Sequence, residues 1–160
     1  MTPPLVGLCG WTISQARYVR QFPVVEVQHT FYEPPTDTLL RKWRTDVPPE
    51  FEFTIKAWQV VTHDSDSPTY RRMKRPLAAE HLGQVGSFRT TAPVLRAWER
   101  TLECAETLRA TAVLLQCPRR FRPTPENLDR LRTFVTTVAR PDGNLLWEPR
   151  GPWPLDVVGE

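Results

Sequence analysis

At 160 residues and 18.5 kDa the chain has the length of one domain and enough residues to bury a sizeable core. Its 40% hydrophobic and 24% charged residues are the mix of a soluble globular protein, and its net charge of +3, with both signs spread through both halves, is too weak to argue for nucleic acid alone. Cys9, Cys104 and Cys117 form no CxxC pair and no zinc-type spacing, which fits reduced thiols inside a cell better than a disulfide framework.

Met1-Thr2-Pro3-Pro4 lacks the basic start and apolar run of a signal peptide, and no stretch of ~18 apolar residues occurs. A cytoplasmic address and no membrane contact are expected. The 17 prolines are spread along the chain, punctuating elements, so residues 1–160 read as one domain.

Leu5 to Cys9 reads as a first strand, with Gly10-Trp11 at its turn, and a short helix from about Ser14 to Gln21 leads to the stretch Val24 to Tyr32. There Val24, Val25 and Val27 read as a strand buried on both faces that ends in polar and aromatic residues. Pro34-Pro35 breaks the backbone, Thr36 caps a helix with Leu39, Leu40 and Trp43 on one face, and Pro48-Pro49 ends it. Phe51 to Lys56 alternates as a third strand. From Gln59 to about Thr91 there is no sustained period, the mark of a long loop that is functional or mobile.

Val94, Trp98, Leu102, Ala105 and Leu108 fit one face of a helix of roughly five turns, followed by a fourth strand, Ala112 to Gln116. Thr124-Pro125-Glu126 supplies a capping hydroxyl, a first-position proline and a first-turn acid; Leu128, Leu131, Phe134, Val135 and Val138 are that helix's expected buried face. Asp142-Gly143 turns the chain into a fifth strand, Asn144 to Glu148. Strands alternating with helices or long crossovers imply a parallel α/β sheet.

In such sheets, sites lie beyond the carboxyl ends of the strands. The side chains there are Trp11, Glu26, Gln28, Tyr32, Lys56, Trp58, Gln116, Glu148, Arg150 and Trp153, with His63 on the following loop. Glu26 and Glu148 suit general acid and base roles, and Lys56 and Arg150 suit an anionic group. Each also has a plainer reading. Glu26 with Lys56 makes a structural ion pair, His63 beside Asp64 a cap or solvated residue, and the tryptophans ordinary packing rather than stacking platforms. Arg71-Arg72 and Arg119-Arg120 are either phosphate contacts or a solvated face, and Cys9 and Cys117 are small buried residues. A metal held by Glu26, His29, His63 and Glu148 has no ligand spacing behind it, so no metal and no cofactor are expected.

Gly10-Trp11, Val25-Glu26-Val27-Gln28-His29-Thr30-Phe31-Tyr32, Phe51-Glu52-Phe53-Thr54-Ile55-Lys56-Ala57, Thr62-His63, Gln116-Cys117-Pro118 and Glu148-Pro149-Arg150-Gly151 with Trp153 closely resemble the YecE-like family, the domain of unknown function 72. The resemblance implies a TIM-type (β/α)8 barrel with polar residues at the carboxyl rim, and no assigned reaction. Such a barrel typically takes ~250 residues. The expectation is therefore a partial barrel, truncated after about five strands, that self-associates through exposed edges, is completed by partners, or is inert. Two functional expectations follow: binding or processing of a phosphorylated or sugar-containing small molecule by an isomerase- or hydrolase-like enzyme, or binding of nucleic acid through the arginines and tryptophans.

Overall fold

The computed structural model describes residues 3–139 and 141–158. Five parallel strands, β1 Gly7–Cys9, β2 Val24–Val27, β3 Glu52–Lys56, β4 Ala112–Gln116 and β5 Asn144–Glu148, lie side by side in chain order in one sheet. The crossovers carry helices α1 Gln15–Tyr18, α2 His29–Tyr32, α3 Asp37–Thr45, α4 Gln59–Thr62, α5 Ala92–Leu108 and α6 Pro125–Thr133, the last running on as a π-helical turn over Phe134–Val138; α7 is Leu155–Val158. This is the architecture of a partial TIM-type barrel that does not close.

Strand alternation divides the sheet into two unlike faces. Val25, Val27, Phe53, Ile55, Val113 and Leu115 are buried beneath the helices. The opposite face carries Val24, Thr54 and Leu114, half-buried, and Leu146, which is 48% exposed. β2 is therefore buried on one face rather than two: among the described residues, no element covers the side bearing Val24 and Glu26.

The first helix is shorter than its expected span, and the polar end of the Val24–Tyr32 stretch winds into α2 instead of continuing the strand. The Thr36 side chain does cap α3, accepting a hydrogen bond from the Leu39 N–H at 3.4 Å, but Leu39 itself is exposed while Leu40 and Trp43 are buried. Thr124 likewise accepts from the Asn127 N–H at 3.3 Å at the start of α6. Of that helix's expected apolar face, Phe134 is buried and Val135 is exposed.

The aperiodic stretch from Gln59 is packed, not loose. α4, two short 3-10 turns at Pro68–Arg72 and Ala79–His81, and buried Val60, Val61, Val85 and Phe88 tie it to the sheet. Its pivot is Gly86, at φ +81°, followed by Ser87 and Phe88 in the left-handed region at +49° and +54°. That reversal lets the N–H groups of Gly86, Ser87 and Phe88 reach the carbonyls of Val60, Thr62 and Val61. A short-range periodicity scan cannot see this, since these bonds join segments more than twenty residues apart.

β1 pairs directly with β2, and a side chain reinforces the join. The Tyr18 hydroxyl accepts from the Leu8 N–H at 2.7 Å and donates to the Val24 carbonyl at 3.0 Å, bridging the two strands. Gly7 sits so near the Val24 carbonyl that a Cβ would lie 2.1 Å from its oxygen.

Candidate functional site

The strand register fixes which side chains meet. Cys9 pairs with Glu26, Glu26 with Thr54, Lys56 with Leu114, and Gln116 with Glu148. Because side chains two apart share a face, Cys9, Glu26, Lys56, Gln116 and Glu148 all project from the open face at or near the carboxyl ends.

At the centre is Glu26 Oε1. It accepts from Gln28 Nε2 at 2.6 Å and from the Cys9 thiol at 3.3 Å, and it stands 3.3 Å from Lys56 Nζ. Lys56 is only 7% exposed, and its Nζ donates to Gln116 Oε1 at 2.7 Å. A lysine this buried stays in place because a carboxylate and an amide oxygen replace its water. Four strands or strand ends thus contribute to one hydrogen-bonded cluster in which the single positive and single negative charge are paired.

Cys9 is the member that sequence reading missed. It is exposed rather than buried, and its thiol is held protonated above the ordinary range, first by partial burial, then by its hydrogen bond to Glu26 and the negative charges of Glu26 and Glu148, with Lys56 opposing. The legible signal was register: a cysteine ending the strand before Gly10 stands opposite Glu26.

Glu148 and Arg150 form a second pair, with Arg150 Nε donating to Glu148 Oε1 at 2.6 Å. His63 has no direct bond to either pair. It is 5% exposed, with Nδ1 2.8 Å from the Thr62 hydroxyl and its ring edge-on to Phe31. Burial, first, and then the positive charge of Arg120 push its pKa down to about 4, with Arg150 adding and Asp64 opposing, so its imidazole is neutral near pH 7. Asp64 is engaged by Arg89 at 2.6 Å and by the Ser87 hydroxyl at 2.9 Å.

The aromatic residues are fastened as packing. Trp11 lies against Tyr18 and Phe51, Trp58 Nε1 donates to the Tyr32 carbonyl at 3.2 Å, and Trp153 Nε1 donates to the Phe121 carbonyl at 3.0 Å while its ring meets Trp147 at 4.8 Å. The Tyr32 ring carries the Arg72 guanidinium 3.6 Å above its centre. Arg120 is bound to Asp66. His29 packs against Trp43, and among the described residues no three His, Cys, Asp or Glu side chains gather as a metal site. No helix among the described residues is long and apolar enough to cross a membrane.

An open parallel α/β sheet of barrel type, with its polar side chains collected at the carboxyl rim, defines the class. The family model described as "Protein of unknown function DUF72" matches residues 7–152, and the chain belongs to that family, of which YecE-like is another name. Two crystal structures of a DUF72 family protein from Enterococcus faecalis V583 have the same fold, with TM-scores of 0.64 and 0.63 at 21% and 19% identity. The alignments cover 91% of this chain and 51% and 50% of those chains, so this chain spans about half their length. No curated protein matches it.

Proposed function

We propose that the rim binds a hydroxyl-rich small molecule of the sugar or sugar-phosphate class, with the Glu26–Lys56 cluster as its recognition centre. The observation that carries this is the buried Lys56 ammonium held between Glu26 and Gln116 on a face left open. Sugar hydroxyls both donate and accept, and a cluster presenting a carboxylate, two amides, an ammonium and a thiol offers both kinds of partner. The charge balance favours hydroxyls over a lone phosphate at this point, since Lys56 is already neutralised. A phosphate carried by the same ligand fits the flank of Arg150, whose half-exposed guanidinium stands beside Glu148.

In a catalytic cycle the same atoms divide the work. Glu26 takes a proton from a ligand hydroxyl, and Lys56 donates a hydrogen bond to that same oxygen as negative charge builds on it. Gln28 and Gln116 orient the two, and Trp11, Trp58, Tyr32 and Trp153 hold the surrounding loops through the contacts above. Nucleic acid is the weaker reading because Arg120 and Arg72 are already taken up by Asp66 and Tyr32.

The test is a thermal-shift screen of aldoses, ketoses and their phosphates, with single-stranded DNA at low salt as a control. A ligand at ten times its Kd stabilises by about 1.4 kcal/mol, which raises Tm by roughly 3–6 °C for a chain of this size. Lys56→Met removes that rise. A cooperative melt unmoved by every sugar and sugar phosphate overturns the reading, as does a shift with DNA alone.

A further inference from the structure

We propose that Lys56 is a nucleophile: its amine adds to the carbonyl carbon of an open-chain aldose or ketose and forms an imine, with Glu26 carrying the protons. The proposal rests on the sugar-site reading above and adds to it a covalent step and a substrate form, the free carbonyl.

Three observations carry it. The first is placement. Lys56 is the last residue of β3, the middle strand of five, and its side chain is 9% exposed on the open face. A surface ammonium is hydrated and mobile, whereas one packed at a strand end meets a bound carbonyl at a fixed distance and angle.

The second is the choice of cation. Of the 21 lysines and arginines in the chain, only Lys42, Lys56 and Lys74 are lysine. Half-buried pairs elsewhere use arginine, Arg89 with Asp64 at 2.6 Å and Arg100 with Asp37 at 2.7 Å. A guanidinium keeps its proton and can grip a carboxylate through two parallel bonds, which makes it the better purely structural partner. Lys56, more buried than either arginine, is instead of the type that can become a neutral amine.

The third is the set of partners. Glu26 Oε1, 3.3 Å from Nζ, is near enough to take a proton from it, and Gln116 Oε1, at 2.7 Å, retains one N–H after that proton has left. Gln28 Nε2 holds the carboxylate in place at 2.6 Å.

The step balances without an oxidant or reductant. Glu26 takes one proton from the ammonium, the amine lone pair forms the C–N bond, and the carbonyl π electrons move to oxygen, which receives the proton back from Glu26. Glu26 then takes a proton from the nitrogen and passes it to the new hydroxyl, the C–O bond breaks, and water leaves. The protonated imine keeps its positive charge opposite the Glu26 carboxylate, so the pairing survives the reaction.

The test is reductive trapping on the 160-residue chain. Glyceraldehyde 3-phosphate is the probe, sodium cyanoborohydride converts any imine to a stable secondary amine, and peptide mass spectrometry identifies the labelled residue. Lys42 and Lys74, both exposed, serve as internal references. Lys56 should label at least about tenfold faster than either, and saturably in probe. Glu26→Gln should remove that lead, and Lys56→Arg should abolish the label at this position with the rates at Lys42 and Lys74 unchanged. Label on Lys42 and Lys74 with Lys56 unmodified overturns the proposal, as does a lead at Lys56 that persists in a cooperatively melting Glu26→Gln variant. A thermal shift with sugars but no label at Lys56 overturns the imine alone; neither shift nor label overturns the site reading with it.

Discussion

Replacing Lys56 by Met keeps the length and apolar stem of the side chain while deleting its charge. Losing one partner of a fully buried ion pair costs about 3–5 kcal/mol. Here the Glu26 side chain is 23% exposed and keeps the Gln28 amide and Cys9 thiol as donors, so the stranded carboxylate is partly solvated. The expected cost is therefore about 1–2 kcal/mol. Glu26→Gln leaves the more buried partner stranded, the 9%-exposed Lys56 side chain with Gln116 alone, and should cost more, about 2–3 kcal/mol. The double variant has no unpaired charge, so its loss should fall short of the sum by at least about 1 kcal/mol. Urea denaturation measures all three, with ligand binding followed in parallel. Additive losses would refute the pairing, and a double variant that regains stability and still binds the sugar ligand would refute the site.

His63 supplies a pH signature. Its pKa of about 4 in the folded chain lies below the 6.5 of a free histidine, so the unfolded chain takes up the proton first and stability falls as pH drops from about 6.5 toward 4. Between pH 7 and 5 that amounts to about 2 kcal/mol, and His63→Gln should flatten the decline by that amount in urea melts at the two pH values; an unchanged slope rules it out. Gly86→Ala places a Cβ 2.3 Å from the His63 carbonyl carbon at φ +81°, and should cost more than about 3 kcal/mol or prevent folding, read by thermal melting. Tyr18→Phe removes the hydroxyl that bridges the Leu8 N–H and the Val24 carbonyl, for a loss of about 1 kcal/mol. The Leu8 amide should exchange faster in that variant while β3 amides keep their protection; uniform change across the sheet would show that the bridge does not hold β1.

The strands were legible because each is a short apolar or alternating run bounded by Gly, Pro or a capping hydroxyl, and the cap at Thr124 follows from local chemistry alone. The Glu26–Lys56 pair was legible as well, since both residues end strands that a parallel sheet must place side by side. What local pattern cannot carry is where a face is left bare. Val24, Leu39 and Val135 look like core residues in sequence and stand only partly covered. The clamp of Gly86-Ser87-Phe88 on α4 was illegible for a different reason: it consists of backbone bonds made possible by positive φ angles at two non-glycine residues. Cys9 was misjudged because burial statistics for cysteine say nothing about a strand that lies at a sheet edge.

The most direct test of the ligand site watches the amides that frame it. In two-dimensional NMR of the ¹⁵N-labelled chain titrated with the best sugar or sugar phosphate, the side-chain NH2 signals of Gln28 and Gln116 should move, while that of Gln59, buried against the Tyr32 carbonyl, should stay still. The same titration of Lys56→Met should leave all three unmoved. Shifts confined to the apolar groove lined by Leu131, Val135, Trp147 and Trp153, or Gln28 and Gln116 signals that ignore a ligand known to bind, would contradict a recognition centre at Glu26 and Lys56.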